Sequence, residues 1–549
     1  MIIDTLSSFA GMLSFGIFLA VFGLYYQFVL KTWFYFSVRK VKFVRGWPLI
    51  GTAYRSLLGL EPAAISFRRC YRRYPHEKFI GMYDLGGKPM YLLRDPKLIK
   101  QVTTTDFEHF VNPKPTLGND DDVFAHTLFG MRDNEWRQMR QTMCPAFTSK
   151  RMQSMHNLMV RCCEHFLESL METDKTAKIF DTRDLFSRYA NDIIATTAFG
   201  VELNSLREPD NDFFRMGNSL AEFGYLDDLK FIVNISIPSL FKSFDFRVKR
   251  ATNAQKMRTI IKQNIAAHKN RDIEHNDMID LLIKARDGQL AYDEDKEHIK
   301  DVGFASADES NVGKINPSSH DWTDDDLVAQ CMLFFFHGYS SISSACCFIF
   351  HELSLNPDIQ TKLFEEIQRI RAELNGSRLT YEMIPKMKYL DMVVTEGLRR
   401  WSPIPYLKRT CNRPYTMENT DGSRVNLNVY DEILIPIYAL HHDPQYYPNP
   451  EKFDPERFNE KNIDSIQQGI YLPFGIGPRN CIGSRFAVME IKTLTYYLLS
   501  EFYIDRCART QDPLELKSLP HAMDATKGFF VELRRRQPDR SPYKSSIFN

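Results

Sequence analysis

The chain opens on an apolar stretch without a single charge: from Thr5 to Leu30 it reads TLSSFAGMLSFGIFLAVFGLYYQFVL. A helix rising ~1.5 Å per residue over that length crosses a hydrocarbon core about 30 Å thick with some tilt. Lys31, Arg39, Lys40, Lys42 and Arg45 follow it, whereas only Asp4 precedes it. That asymmetry puts the C-terminal side in the cytosol. A cleaved signal peptide needs a basic start and a small-residue cleavage site, and the stretch has neither. The pattern predicts a single-pass transmembrane anchor over residues 1–35 and one globular body over 36–549. Between them, RGWPLIGTA, with Pro48 and Gly51, reads as a stiff turn that sets the body against its anchor.

In the body the apolar positions recur mainly with helical period. NEWRQMRQTMCPAF, MQSMHNLMVRCCEHFLESLM, DDLVAQCMLFFFHGYSSISSACCFIFHEL and PDIQTKLFEEIQRIRAEL read as helices, with KPMYLLR and EILIPIYAL as short β segments between them. The fold class is therefore mainly α with small β-sheets. Residues 289–321 are polar and charged and read as an exposed loop. A second apolar patch, FIVNISIPSLF over residues 231–241, is either ordinary core or a surface that dips into the membrane beside the anchor.

Composition narrows this picture. The chain of 549 residues is long by the ordinary domain prior, yet no Gly/Ser-rich or Pro-rich tract divides it. With 70 Lys+Arg against 69 Asp+Glu there is no global field to attract nucleic acid, so no such partner is expected. Ten cysteines without regular spacing point to reduced thiols in a reducing compartment.

One of those thiols stands apart. PFGIGPRNCIG, residues 473–483, carries Cys481 immediately before the amphipathic run SRFAVMEIKTLTYYLLSEF. No second cysteine at C-x-x-C spacing lies nearby, so a zinc or iron–sulfur site lacks its partner ligand. A buried cysteine packing as a small hydrophobe is the bland alternative. A helix starting at about Gly483 would aim unpaired N–H groups and the positive end of its dipole at the sulfur, favouring thiolate. Gly477 and Gly483 would let backbone approach a bulky group. Arg479 offers a cation for a carboxylate, and Phe474 an aromatic wall. Thiolate, apolar cover and carboxylate-binding arginine together describe the proximal side of a haem.

The stretch resembles the haem-binding signature of the cytochrome P-450 superfamily, F-x-x-G-x-R-x-C-x-G, through Phe474, Gly477, Arg479, Cys481 and Gly483. Glu396 and Arg399 in VVTEGLRRW match that family's E-x-x-R, and Arg457 in NPEKFDPERF matches the arginine completing the cluster. Alone, Glu396 and Arg399 would read as a surface ion pair three residues apart. In family order they imply a structural lock behind the thiolate loop. Trp136 and Arg140 in NEWRQMRQ fit W-x-x-x-R, and Arg409 in YLKRTC matches a further arginine. By resemblance these reach a haem propionate. The whole looks most like microsomal, xenobiotic-metabolising members from insects. The resemblance implies the cytochrome P-450 fold and haem b with Cys481 as axial ligand and metal-binding residue. It further implies O2 and a small apolar substrate, NADPH–cytochrome P-450 reductase as electron source, cytochrome b5 as a further candidate donor, and residence in the endoplasmic reticulum membrane. Arg137, Lys150, Arg151 and Lys452 are candidate contacts for an acidic reductase face.

The departure lies over the haem. Where members typically carry A/G-G-x-D/E-T, this chain reads HGYSS, residues 337–341. Ser341 can replace the threonine hydroxyl, but Ser340 removes the acid, and His337 stands where a small apolar residue is usual. Gly338 is expected to keep a backbone kink that admits dioxygen. His337 has three readings: a side chain in a polar substrate cavity, a proton relay, or an iron ligand that blocks oxygen. Two other function classes stay open accordingly, a haem-thiolate isomerase or peroxide-using enzyme needing no reductase, and a weakly catalytic haem protein capped by His337. Residues 111–129, the 231–241 patch and Phe334, Phe335 and Phe336 are the candidate lining for an apolar guest.

Overall fold

The computed structural model describes residues 31–47, 50–113, 125–172, 177–221, 250–269, 277–287, 303–306, 322–463, 469–519 and 523–536, together with isolated positions in 15–30 and 226–233, and residues 289 and 466. Most of the proposed anchor, Pro48, nearly all of the 231–241 patch, most of the 289–321 loop and part of the 111–129 segment lie outside the described residues.

The organising element is a helix of 32 residues, Asp324–Leu355. Its start is written locally. Thr323 accepts from the Asp326 N–H, and the Asp326 carboxylate accepts from the Thr323 N–H, closing a capping box. Asp324, Asp325 and Asp326 place negative charge on the positive end of the dipole. Among the described residues this is the one helix long and apolar enough to cross a membrane, and it is mostly buried within the protein. Its apolar surface is met by protein: it runs along Thr182–Phe199 and also touches Lys388–Arg400, Pro357–Leu374 and Ser484–Glu501. No break interrupts it at Gly338. A Cβ there would fall 2.8 Å from Ile194 Cδ1, so the glycine serves close helix packing rather than the expected kink.

Four of the helices read from periodicity are present, as Asp133–Met143 continued by a tight turn Cys144–Phe147, Ser149–Met171, Asp324–Leu355 and Pro357–Leu374. KPMYLLR contains the strand Pro89–Leu93. EILIPIYAL divides: the strand Glu432–Ile435 stops at Pro436, and Ile437–His441 is helical. Proline has no N–H to continue the ladder, and the chain turns away there.

The main sheet has four strands in the order Phe79–Tyr83, Pro89–Leu93, Glu432–Ile435, Leu407–Thr410. Its central pair is parallel, with Met90 opposite Glu432, and the two outer pairs are antiparallel. This sheet has its own apolar core, including Phe36, Tyr91 and Ile433. A larger core surrounds the long helix. The last strand of the sheet carries Arg409, so the sheet delivers one predicted site residue, while helices and the loop before Ser484–Glu501 deliver the others.

Candidate functional site

Cys481 sits at the end of a tightly turned loop. Its N–H donates to Phe474 C=O at 2.9 Å, and the Asn480 N–H donates to Gly477 C=O at 2.9 Å. Gly477 has φ 78°, and a Cβ on it would fall 1.8 Å from Thr103 C=O. Gly477 thus makes a close approach to the protein's own backbone. At Gly483 the nearest group to a Cβ is the Phe147 ring, at 4.0 Å. The helix Ser484–Glu501 begins directly after it. Cys481 is exposed while Asn480 and Ser484 on either side are buried. Protein packed around the thiol nonetheless raises its pKa, against the Gly483 N–H and the Arg140 charge, which lower it. The helix end and the Arg140 charge therefore act in the direction expected for a thiolate, and burial acts against them.

Around this loop the structure gathers arginines. Arg140, from the helix Asp133–Met143, donates to the C=O and side-chain oxygen of Asn480 at 2.8 and 2.7 Å, while its Nε has no partner among the described residues. Arg479 donates to the carbonyls of Val111, Leu128 and Met131 at 2.8, 3.2 and 2.6 Å, and its guanidinium lies 4.3 Å from the centre of the Trp136 ring. Trp136 is 1% exposed. Arg409 donates to Lys408 C=O and, among the described residues, has no carboxylate partner. Burial brings its pKa down to about 10. Burial and the charges of Arg409, Arg140 and Arg132 depress Arg479 as well, with Asp133 opposing them. A half-buried cluster of cations short of counter-charge is costly unless an anion completes it.

Behind the loop lies an ion cluster. Glu396 and Arg399 are both fully buried, joined by two hydrogen bonds at 2.6 and 2.9 Å. Arg457 Nε lies 3.4 Å from Glu396 Oε1, and the Asp454 N–H donates to the same oxygen at 2.9 Å. Arg399 also donates to His441 C=O and Pro450 C=O. Arg457 donates to Pro448 C=O and Asn449 C=O. Both Glu396 oxygens and the Arg399 guanidinium are thereby hydrogen-bonded, the condition under which buried charge is tolerable, while Arg457 Nε makes no hydrogen bond among the described residues.

On the long helix, Leu333, His337, Ser340 and Ser341 share one face and are half-buried, in a helix whose next turns are buried. Ser341 Oγ donates to His337 C=O at 2.5 Å, and Ser340 Oγ to Phe336 C=O at 2.8 Å. His337 Nδ1 lies 3.0 Å from Leu333 C=O, an acceptor only, so Nδ1 carries the proton. Burial lowers the ring's pKa, leaving it neutral with a bare Nε2. Phe129 stacks beside it at 6.2 Å.

Three residues of this site carry no motif. Phe147 joins the two halves, touching Gly483 on one side and the Phe334 ring, 5.6 Å away, on the other. Gln330, on the long helix, accepts from the Leu128 N–H and donates to His126 C=O, at 2.8 and 2.7 Å. It thereby holds the carbonyl that Arg479 uses. His441 bridges the ion cluster and the thiolate loop. The available signal was weak, a Gln or His following an apolar helical run, and its meaning depends on neighbours far away in the chain.

An exposed cysteine, nearby arginines with few carboxylate partners among the described residues and a half-buried stripe of the core helix fit a flat, dianionic, iron-bearing group: this is the donor set of a haem-thiolate enzyme. A family model described as Cytochrome P450 matches residues 45–532. The chain is 37% identical over 527 residues to cytochrome P450 9e2 of Blattella germanica, covering 93% of this chain and 96% of that protein. It is 34% identical over 533 residues to probable cytochrome P450 9h1 of Drosophila melanogaster, covering 96% and 99%. Cytochrome P450 6k1 of Blattella germanica is 34% identical over 452 residues, covering 82% and 83%. The chain belongs to the cytochrome P450 family and is a haem monooxygenase, its cofactor haem b with a cysteine thiolate as axial ligand.

Proposed function

We propose that this chain, anchored by residues 1–35 in the endoplasmic reticulum membrane with its body facing the cytosol, oxygenates small apolar molecules with electrons from an NADPH-dependent flavoprotein reductase. The observation that carries the reading is Cys481, left open in a buried loop, flanked by Arg140, Arg409 and Arg479. Cys481 would ligate iron. Arg140, Arg409 and Arg479 would hold the propionates, with Trp136 stacked on Arg479, and Phe474 would wall the sulfur. Haem, when bound, supplies the redox chemistry that reduces O2 and places one of its atoms in a C–H bond. The charge-free run Thr5–Leu30 and the cations after it support the anchor.

The chain's own residues handle the protons. Ser341 Oγ spends its proton on His337 C=O but keeps lone pairs that accept. With Ser340 in place of a carboxylate, the remaining base on that face is His337 Nε2. Neutral and bare, it can take a proton from ordered water and return it. For the reductase, Arg137 is a weak contact because Glu108 holds it bidentately at 2.7 and 2.8 Å. Lys150 and Lys452 are exposed, Lys452 lying 3.6 Å from Asp454, and they remain the better candidates, with Arg151 next to Lys150 in the chain.

The missing carboxylate at 340 favours a second reading, a reductase-independent isomerase or peroxide-using enzyme. NADPH consumed together with product in the presence of reductase selects the monooxygenase. Turnover of a lipid hydroperoxide without NADPH selects the alternative. A nitrogen-ligated ferric spectrum that reverts in His337→Ala would identify a capped, weakly catalytic haem protein. The site itself is tested by Cys481→Ala, which should abolish the thiolate-type band of the reduced carbon monoxide complex.

A further inference from the structure

We propose that His441 is the positioning residue that sets where Cys481 is presented, by tying the thiolate loop to the Glu396–Arg399–Arg457 cluster through both edges of its imidazole. The ring is fully buried. The Leu472 N–H donates to Nε2 at 2.9 Å, so Nε2 is bare and the proton sits on Nδ1. Nδ1 in turn donates to Arg399 C=O at 2.9 Å. Arg399 closes the circuit by donating to His441 C=O at 2.5 Å. From Leu472 the path runs into the loop: its C=O accepts from the Gly475 N–H at 3.1 Å, and Phe474 C=O accepts from the Cys481 N–H at 2.9 Å. One face of the imidazole stacks on Tyr471 at 5.5 Å, and Tyr471 donates to Thr395 C=O in the Glu396 helix.

Imidazole suits this place because it presents a donor and an acceptor on different edges of one rigid ring. Burial and the Arg399 charge hold its pKa down to about 3, so the ring keeps its acceptor edge throughout the physiological range. A protonated ring would turn Nε2 into a donor facing the Leu472 N–H and break the link.

Two amide variants separate the edges. Glutamine places an oxygen near the former Nε2 and can still accept from Leu472. Asparagine reaches only the former Nδ1 position and can still donate to Arg399. The full-length protein and His441→Gln, His441→Asn and His441→Phe are compared by amide hydrogen exchange over residues 470–475 and by the reduced carbon monoxide spectrum. Exchange at Leu472 is expected to accelerate about tenfold or more in the Asn and Phe variants and markedly less in Gln, the scale of losing one buried hydrogen bond. The thiolate-type optical band is expected to shrink in the same order. Phe keeps the stack on Tyr471 and removes both bonds, so native behaviour in His441→Phe would overturn the proposal. So would a Gln variant no better than Asn, or altered exchange with an unmoved optical band. The optical arm rests on Cys481 as the haem ligand. The exchange arm does not, so failure of that reading shows as normal exchange behaviour in a protein without the thiolate band.

Discussion

At the scale of single residues, this protein pairs some of its strongest charges where water does not reach. Glu396 is the extreme case, fully buried against Arg399 with Arg457 beside it. Glu396→Gln removes the carboxylate that holds the buried Arg399 guanidinium. It is expected to cost about 3–5 kcal/mol, read as a drop in the denaturant midpoint at unchanged slope. Gly477 is constrained differently. Its positive φ is unfavourable for other residues, and any Cβ would collide with Thr103 C=O. Gly477→Ala is therefore expected to displace the loop and lower the haem bound per chain, measured by pyridine haemochromogen absorbance, while the far-ultraviolet circular dichroism stays native.

At the scale of elements, the contact that decides the architecture is the long helix against Thr182–Phe199. Gly338 permits it, since Ile194 occupies the space a larger side chain would need. Gly338→Val is expected to destabilise by about 1–3 kcal/mol through overpacking. Ile194→Ala should restore part of that loss in the double variant, and strict additivity of the two changes would rule the contact out. The helices themselves were legible because each carries its own period and start signal, such as the Thr323–Asp326 capping box. EILIPIYAL was misread because its apolar run continues across Pro436, where the ladder ends and a helical turn begins. The kink expected at Gly338 was misread because a glycine in a helix has two uses, and only the neighbouring Ile194 side chain tells them apart.

Across the whole molecule, several imidazoles are buried far from their ordinary protonation. Burial lowers His156 and His351 to about 4 each, and neither ring has a hydrogen-bond partner among the described residues. Their unfolded pKa is about 6.5, so the unfolded chain binds protons that the folded chain refuses. The folded state is favoured fully above that pH and loses stability as pH falls from about 6.5 toward 4, by at most about 3 kcal/mol for each ring. Thermal unfolding between pH 7.5 and 4.5 should show a falling midpoint, and His156→Phe should flatten the decline. An equal slope in that variant would show that other groups control the acid limb.

The amino-acid sequence by itself determined the helical class, because each helix is encoded within a short window, while the thiolate loop, the Glu396 cluster and the arginines were legible through motifs that resemble those of a known family. Only the tertiary structure decided what those windows meet: that Gly477 lies against Thr103, that burial opposes the helix end at Cys481, and that His441 and Gln330 fasten the site. Those outcomes depend on desolvation and on partners tens to hundreds of residues away, and local pattern holds no record of either.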